Sequence, residues 1–279
     1  MSSTPAAGSL RPVRTDVHTL ETSAGAVELT VRDHDRTRPF LLLHGGGGVA
    51  TMTGFAGLLA ERTHSRVLLP THPGFGGTPK PAGLTGVAAL AQAYVALLDR
   101  LDLTDVTVIG NSFGGWLAAE IALLDSPRVS GAVVIDAIGI EVEGHPQADI
   151  RGLSLPEIQR LSFHDPRKAP QPPAVAAQDP RTQPPAAGAP GPGPDVQALV
   201  GYAGPAMADP GLAGRLGQVA IPVHVVWGES DGIVTPDYGK AFAAAIPLST
   251  FTLLPRTGHL PQVESPEELL GALLDLGNR

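Results

Sequence analysis

Short apolar runs recur along most of the chain, separated by longer stretches in which apolar and polar residues mix. Glycine, proline or polar turn residues bound each run, and most runs are too uniformly apolar for strands with one face in water. The pattern therefore predicts strands that are covered on both faces. The predicted strands span residues 18–20, 26–31, 40–43, 67–69, 106–109, 132–135, 223–227 and 251–254.

Stretches long enough for helices lie between the predicted strands. Two of them open with a proline, Pro236 and Pro266, which fits the first turn of a helix. Strands that alternate with helices indicate parallel crossover connections and a sheet covered by helices on both sides. The first two strands, joined around residues 22–25, should instead form an antiparallel hairpin at one edge. The predicted helices span residues 55–62, 86–100, 115–124, 236–245 and 266–276.

The alternation stops between residues 141 and 213, where no strong strand pattern occurs. We interpret residues 141–213 as a cap or lid that is inserted into an α/β core. The core is expected to span residues 16–140 and 214–279. Residues 1–15 mix small and polar residues without periodicity and are expected to form a flexible lead.

Within the insertion, the sequence predicts short helices at residues 155–161 and 196–202. The segment between them, residues 166–195, contains ten prolines and only one large aliphatic residue, Val175. Such a segment buries too little apolar surface to offset the entropy cost of ordering it. We therefore expect a Pro/Ala-rich loop that is extended or mobile.

Composition and charge narrow the possible chemistry. The chain has no cysteine, which excludes disulfides, thiolate metal sites and cysteine nucleophiles. Its 27 acidic residues outnumber 19 lysines and arginines, giving a formal net charge of −8, and no basic cluster is available to contact phosphates. No metal-ligand spacing or nucleotide fingerprint occurs either. We expect a small-molecule substrate, no metal or other cofactor, and no nucleic-acid or membrane partner.

Location is inferred from the absence of a targeting pattern. The first residues lack the apolar stretch of a secretory signal, and no later run approaches the length of a membrane span. The expected location is the cytoplasm.

The strongest functional signal lies at residues 106–115. A predicted strand runs through Gly110-Asn111-Ser112-Phe113-Gly114, a G-x-S-x-G pattern, into a predicted helix. Small residues are needed there because the backbone turns sharply between the strand and the helix. The turn would hold the Ser112 hydroxyl above a helix N-terminus, whose dipole favours negative charge. Ser112 is therefore the predicted nucleophile.

A run of glycines follows the third predicted strand, in the sequence His44-Gly45-Gly46-Gly47-Gly48. Consecutive glycines leave backbone N–H groups uncovered and let a substrate oxygen approach closely. We expect the amides of Gly46 and of Phe113, the residue after the nucleophile, to form an oxyanion hole. A phosphate-binding loop is the alternative, but no Lys-Ser/Thr pair follows the glycines as a P-loop requires.

A nucleophilic serine needs a base, and the base needs a carboxylate that orients it. Asp231 follows the strand predicted at 223–227, and His259 follows the strand predicted at 251–254. In an open parallel sheet the carboxyl ends of the strands border the ligand crevice. We therefore expect Ser112, Asp231 and His259 to meet as nucleophile, orienting acid and base.

These motifs, taken together and in this order, resemble the α/β-hydrolase family. The likeness covers about residues 16–140 and 214–279. It includes HGGGG at 44–48, HPGFGGT at 72–78, GNSFGG at 110–115, WGESD at 227–231 and GHLPQVESPEEL at 258–269. The resemblance implies an α/β-hydrolase fold, with a mostly parallel eight-stranded sheet, flanking helices and an inserted cap. It also implies a serine hydrolase that cleaves an ester or related acyl bond through an acyl-enzyme.

Two other functions stay open within this resemblance. Carbon–carbon hydrolases of ring-cleavage products carry an elbow similar to residues 111–115, but many have tryptophan directly after the catalytic histidine, where this chain has Leu260. A non-catalytic ligand-binding protein on the same fold is the other alternative. Haloalkane dehalogenases and epoxide hydrolases need a carboxylate at the elbow, so Ser112 argues against both.

Two other acidic residues could serve as the triad acid. Asp136 ends the strand predicted at 132–135, and some members of the family supply the acid from that neighbouring strand. Glu229 lies two residues before Asp231. It is expected to be solvated or to contact residues of the site without contacting the substrate. The Gly-rich loop around Asp231 matches the family's acid loop better, so Asp231 is preferred.

Four further residues receive structural interpretations. His44 is expected to brace the glycine loop through a ring N–H, and His72 to lie near the cleft, where it could form part of the wall. Trp116 is expected to pack in the core, with the acyl pocket as the alternative. Glu264 is expected to make capping or surface contacts.

Overall fold

The computed structural model describes residues 13–23, 25–33, 39–150, 152–170 and 194–275. The strands in these ranges are β1 (Arg14–Thr22), β2 (Gly25–Asp33), β3 (Pro39–Leu43), β4 (Arg66–Thr71), β5 (Val106–Asn111), β6 (Val129–Ile135), β7 (Val223–Gly228) and β8 (Ser249–Leu254). The helices are α1 (Ala50–Thr63), α2 (Gly86–Arg100), α3 (Phe113–Leu123), α4 (Leu155–Ser162), α5 (Pro194–Ala203), α6 (Leu212–Leu216), α7 (Pro236–Ala244), α8 (Pro261–Glu264) and α9 (Pro266–Asp275).

The eight strands form one sheet in the order β1-β2-β4-β3-β5-β6-β7-β8. β1 and β2 form an antiparallel hairpin that closes between Thr22 and Gly25, and β2 is also antiparallel to β4. Every pair from β4 to β8 is parallel. This confirms the predicted fold class, including the hairpin at one edge.

Both faces of the central sheet are covered by helices. Successive side chains of a strand point to opposite faces, so Leu41 of β3 packs in the cluster that includes α2, α3 and α7. Its neighbour Leu42 packs in the second cluster, which includes α1 and α9. Because both faces are buried, the central strands need apolar residues at every position, which explains their uniform runs in the sequence.

Two helices begin earlier than the sequence predicted. α1 starts at Ala50 rather than at residue 55, and α3 starts at Phe113 rather than at residue 115. The first turn of α1 contains threonines that obscure the apolar period, but Met52 there is fully buried. The Thr51 hydroxyl donates a hydrogen bond to the Gly48 carbonyl at 2.8 Å, which helps to fix the start of the helix.

The inserted stretch has helices but no strand in its described part. α4 and α5 lie close to the predicted positions, and one isolated bridge pairs Gly139 with Ala208. The predicted loop at 166–195 differs at its ends, where Pro166–Lys168 form a 3-10 turn and α5 begins at Pro194. Proline suits the first position of a helix, and Asp195 follows it where the helix dipole favours a carboxylate. Residues 171–193 of that loop lie outside the described residues.

At the amino-terminal side, the described residues start at Val13, and β1 begins at Arg14 rather than after residue 15. Residues 1–12 of the predicted lead lie outside the described residues. Across the part of the chain that is described, no helix is both long enough and apolar enough to span a membrane.

Candidate active site

Ser112 lies on the turn between β5 and α3. Its backbone has a φ of 56°, a left-handed conformation that is uncommon outside glycine. A Cβ atom at Gly110 would lie 1.9 Å from the Gly114 carbonyl oxygen, and one at Gly114 would lie 2.1 Å from the Leu43 carbonyl oxygen. Both positions therefore require glycine, and the tight turn leaves the Ser112 side chain partly exposed.

His259 connects Ser112 to Asp231. Its Nε2 atom lies 3.0 Å from Ser112 Oγ, and its Nδ1 atom lies 2.7 Å from Asp231 Oδ2. A carboxylate only accepts hydrogen bonds, so the Asp231 contact places the imidazole proton on Nδ1 and leaves Nε2 as an acceptor for the serine hydroxyl. The structure thus brings together the three side chains that the sequence analysis selected.

The acid of this relay is held by its own loop. Asp231 Oδ1 accepts the N–H groups of Ile233 at 2.7 Å and Val234 at 3.0 Å. Asp231 is 4% exposed and His259 is 7% exposed, so little water reaches their contact. Hydrogen bonds to a charged group are stronger in such a low-dielectric setting, and this fixes the orientation of the imidazole.

The glycine loop after β3 lies against the elbow. A Cβ atom at Gly45 would lie only 3.0 Å from Ser112 Cβ. In the described part of the chain, no residue accepts a hydrogen bond from the Gly46 amide. The Phe113 amide is at the first position of α3, where a helix offers no internal acceptor. The two amides predicted to form an oxyanion hole therefore lie on the two segments that meet at Ser112.

His44 and His72 are buried side by side beneath the glycine loop. The His72 amide donates to His44 Nε2 at 3.1 Å, and His72 Nε2 donates to the His44 carbonyl at 2.9 Å. The remaining nitrogen of His44, Nδ1, donates to the Gly45 carbonyl at 2.8 Å, which is the bracing contact expected from the sequence. The Tyr94 hydroxyl hydrogen-bonds Nδ1 of His72.

Both imidazoles are in a strongly desolvated environment. Burial lowers the pKa of His44 to about 4. Burial and the neighbouring His44 lower the pKa of His72 well below its ordinary value. Both rings are therefore neutral near neutral pH. His72 is 0% exposed, so the hypothesis that it forms part of the cleft wall is wrong.

The loops that carry Asp231 and His259 are hydrogen-bonded to the inserted stretch. The Gly232 amide donates to the Leu161 carbonyl at 2.9 Å, and the His259 amide donates to the Ser162 carbonyl at 2.8 Å. The end of α4 thus holds both loops at once. Because these bonds use backbone groups, no side-chain pattern in the sequence could have revealed them.

Glu264 links the same two regions through its side chain. Its carboxylate accepts the amides of Gly258 at 2.7 Å, His164 at 3.0 Å and Asp165 at 2.7 Å, and the residue is 3% exposed. The expectation of a capping or surface role is therefore wrong. Two of its three partners are about a hundred residues away in the chain, so local sequence gave no signal of this contact.

Helix α5 lies over the glycine loop. Leu199 Cδ2 is 2.8 Å from the position that a Cβ atom at Gly46 would take. The Tyr202 hydroxyl donates to the Pro73 carbonyl at 2.9 Å, and the Lys80 ammonium lies 3.6 Å from the centre of the Tyr202 ring. The helix was predicted from its apolar positions, whereas its docking on this loop depends on the three-dimensional fold.

The other candidate residues form no side-chain hydrogen bond with Ser112 or His259 in the described part of the chain. Glu229 is exposed and accepts the Arg256 amide at 3.0 Å. Asp136 is buried and accepts the Gly228 amide at 2.8 Å, while the imidazole of His259 contacts Asp231. Trp116 is 3% exposed and packs in the main core cluster. No group of three or more potential metal ligands occurs among the described residues.

The fold and the arrangement of the site residues together indicate the class of protein. A serine on a strand-to-helix elbow, a histidine and an aspartate from later strand ends, and a glycine loop beside the serine are the components of acyl-transfer chemistry on an open α/β sheet. The family profile described as "Alpha/beta hydrolase family" matches residues 40–272, and the chain belongs to this family. This confirms the predicted family.

Individual proteins are also similar to this chain in sequence. The 2-hydroxy-6-oxo-2,4-heptadienoate hydrolase of Pseudomonas putida is 35% identical over 123 residues, a match that covers 43% of this chain and only 45% of that relative. The 2-hydroxy-6-oxo-6-(2'-aminophenyl)hexa-2,4-dienoic acid hydrolase of Metapseudomonas resinovorans is 26% identical over 271 residues, covering 92% of this chain and 90% of that relative.

A similar solved structure is that of a thermophilic esterase from Thermogutta terrifontis. It has a TM-score of 0.64 and 22% sequence identity, with 95% of this chain and 98% of that chain covered. At this level of identity the comparison shows a common fold.

Proposed function

We propose that the protein is a serine hydrolase that cleaves an ester or related acyl bond of a small molecule through an acyl-enzyme intermediate. The observation that carries the proposal is the continuous relay from Ser112 Oγ through His259 to Asp231, with contacts of 3.0 Å and 2.7 Å. A hydroxyl alone is a weak nucleophile, and this arrangement supplies the base that activates it.

In the proposed first step, Ser112 Oγ attacks the carbonyl carbon of the substrate while His259 Nε2 takes the hydroxyl proton. Asp231 keeps the imidazole oriented and stabilises its positive charge. The amides of Gly46 and Phe113 donate hydrogen bonds to the oxygen that becomes negative in the tetrahedral intermediate. Collapse of the intermediate breaks the bond to the leaving group, which receives the proton from Nε2, and leaves the acyl group on Ser112.

The second step repeats the same chemistry with water. His259 Nε2 takes a proton from the water molecule, whose oxygen attacks the acyl carbon. The second tetrahedral intermediate collapses to release the acid, and the proton returns to Ser112 Oγ. Every atom is accounted for by the substrate, one water and the three side chains, so the reaction as proposed needs no cofactor.

Residues 141–213 are proposed to act as the cap that selects the substrate. The support comes from α5 and α4, which approach the site from this stretch. Leu199 of α5 packs on the glycine loop, and the end of α4 is hydrogen-bonded to the loops of Asp231 and His259. Side chains from the cap are therefore close enough to limit the space available to an acyl or leaving group.

Cleavage of a carbon–carbon bond in a vinylogous diketone is the second candidate. It is favoured by the relatives whose names denote hydrolases of oxo-dienoic acids. The same relay would serve, with the carbon–carbon bond next to the ketone broken in place of an ester bond. Leu260, directly after His259, departs from the tryptophan found at that place in many such enzymes, and we therefore place ester cleavage first.

The proposal is tested by hydrolysis of a short and a medium p-nitrophenyl ester by wild type, Ser112→Ala and His259→Ala. We expect kcat/KM to fall by ~10³-fold or more in each variant, with losses in the double variant far from additive. Ser130→Ala, at an exposed position of β6, and His18→Ala, in the edge strand β1, are matched controls that should retain activity.

Circular dichroism on each variant separates loss of chemistry from loss of fold. Wild-type activity that persists in a folded Ser112→Ala variant would refute the serine mechanism. A wild type that turns over a vinylogous diketone much faster than either ester would favour the carbon–carbon reaction. Tight binding of ligands with no turnover of either class would point to a binding protein.

A further inference from the structure

Asp136 is a buried carboxyl group that the proposed mechanism does not use. It follows β6, has a φ of 45°, and is 0% exposed. Its amide donates to the Val226 carbonyl at 3.1 Å, and its Oδ1 atom accepts the Gly228 amide at 2.8 Å. These contacts fix the carboxyl group between β6 and β7, beside the loop that carries Asp231.

The second carboxyl oxygen of Asp136, Oδ2, differs from Oδ1 in its hydrogen bonding. Oδ2 is buried and receives no hydrogen bond from any donor among the described residues. Asp231 is held next to it through Gly228, whose amide donates to Asp136 Oδ1 at 2.8 Å and whose carbonyl accepts the Asp231 amide at 3.2 Å. The charge of the Asp231 carboxyl acts on Asp136. Two carboxylates repel each other and neither can donate, so a favourable contact between them requires one proton.

The donors around each carboxyl indicate where that proton lies. Asp231 accepts two backbone amides on Oδ1 and the His259 imidazole on Oδ2, and all three contacts favour its charged form. Among the described residues, Asp136 accepts a single backbone amide, that of Gly228. Burial, followed by the negative charge of Asp231, raises the pKa of Asp136 well above its ordinary value.

We propose that Asp136 is a positioning residue that carries a proton and donates its O–H to the Asp231 carboxylate. The inference rests on the proposed function for its effect on turnover, because it acts through Asp231 and His259. A neutral Asp136 adds a further donor to the acid and leaves a single negative charge on the pair. That charge stays available to stabilise the imidazolium that forms when His259 takes the proton of Ser112.

Two substitutions test the donor: one keeps both the donor and the shape of the side chain, and the other removes both. Asp136→Asn keeps the shape, tolerates the left-handed backbone, and can direct an amide N–H at Asp231 while its oxygen accepts the Gly228 amide. Asp136→Ala removes the donor. We expect kcat of the Asn variant to stay within about threefold of wild type, and kcat of the Ala variant to fall roughly 10- to 100-fold with little change in KM.

The proton itself can be observed without turnover. The infrared difference spectrum between wild type and Asp136→Asn near neutral pH should show loss of the carbonyl stretch of a protonated carboxyl group. Asp33→Asn is the matched control, because Asp33 is also buried, at 3% exposed, but forms an ion pair with Arg66 at 2.7 Å. That variant should leave the protonated-carboxyl region unchanged.

Loss of carboxylate bands instead, with no protonated carboxyl band, would overturn the proposal. So would an Asn variant that is folded and as slow as the Ala variant. If Asp136→Ala does not fold, the infrared result on Asp136→Asn still decides the question. The infrared band of the protonated carboxyl group does not depend on turnover. A protein that hydrolyses no ester could therefore still show this band. Failure of the proposed function is in this way distinguished from failure of the inference about Asp136.

Discussion

At the scale of single residues, the site depends on positions where the backbone leaves no room for a side chain. Ser112 adopts a positive φ, and Gly114 lies in direct contact with the end of β3. The same closeness that brings Ser112 to the glycine loop therefore makes Gly114 irreplaceable. Local strain of this kind is tolerated where the surrounding structure holds it in place.

Gly114→Ala should destabilise the protein. The new Cβ would lie 2.1 Å from the Leu43 carbonyl oxygen, which belongs to the backbone and cannot rotate away. We expect the free energy of unfolding in urea to fall by about 1–3 kcal/mol or more, together with a loss of activity. Gly57→Ala in α1 is the control, because nothing lies within 4 Å of its added Cβ. That variant should be as stable as wild type or about 0.5–1 kcal/mol more stable. Equal stability of the two variants would contradict this account.

The residues of the candidate site differ in how far their sequence revealed them. Ser112, Asp231 and His259 each carry a local signal, since each follows an apolar run that ends in turn residues. Glu264 carries no such signal, because two of its contacts come from a segment about a hundred residues away in the chain. Asp136 does follow an apolar run, but its contact with Gly228 comes from a distant segment. An acidic residue predicts exposure on average, and only the assembled fold shows that both carboxyl groups are buried.

At the scale of elements, the docking of α5 on the glycine loop determines the space next to the elbow. Leu199 is 8% exposed and lies against Gly46, and Tyr202 is in contact with the Phe113 ring, at 5.9 Å between centroids. These contacts place one helix of the inserted stretch beside both amides of the proposed oxyanion hole. Leu199 is therefore well placed to limit the size of the acyl group.

Leu199→Ala should enlarge that space. We expect the ratio of kcat/KM for a medium ester to that for a short ester to rise roughly 10-fold, because a longer chain can fill the volume that the side chain vacates. Leu155→Ala in α4 is the matched control, since Leu155 is 55% exposed. For the Leu155→Ala variant, the ratio of kcat/KM for the medium ester to that for the short ester should equal the wild-type ratio. An unchanged ratio in folded Leu199→Ala would show that Leu199 does not shape the acyl site.

The regular elements were largely predictable because their apolar residues reflect burial on both faces of the sheet. Each predicted strand has a counterpart in the structure, and the order of strands and helices agrees. Short elements such as α6 and α8 were missed because four or five residues are too few to show a helical period. Helix starts were also displaced, since the first turn of α1 is fixed by threonine hydroxyl bonds rather than by an apolar pattern.

At the scale of the whole molecule, stability is linked to the protonation of buried histidines. The pKa of His44 is lowered from 6.5 to about 4, so the unfolded chain takes up its proton at a higher pH than the folded protein does. This contribution is fully present above the unfolded pKa of 6.5 and is lost as the pH falls towards about 4. The pKa of His72 is also lowered, so His72 likewise makes the protein less stable as the pH falls.

The free energy of unfolding should therefore fall on mild acidification. For His44 alone, the lowered pKa corresponds to a loss of about 2 kcal/mol between about pH 7.5 and about pH 5. Urea unfolding at these two pH values should show this loss in wild type and a smaller one in His44→Gln. His18→Gln, in edge strand β1, is the control, and its free energy of unfolding should fall by as much as that of wild type. A wild type and a His44→Gln variant with the same pH dependence would contradict the assignment.

The proposed chemistry depends on Ser112 acting as a nucleophile that His259 activates. Its most direct test is the reaction of the folded protein with a fluorophosphonate, followed by mass spectrometry of the peptides. We expect a single adduct on Ser112, full labelling of Ser130→Ala, none of Ser112→Ala, and strongly slowed labelling of His259→Ala. A folded wild type that is left unmodified, or one that is labelled on another serine to the same extent in Ser112→Ala, would contradict it.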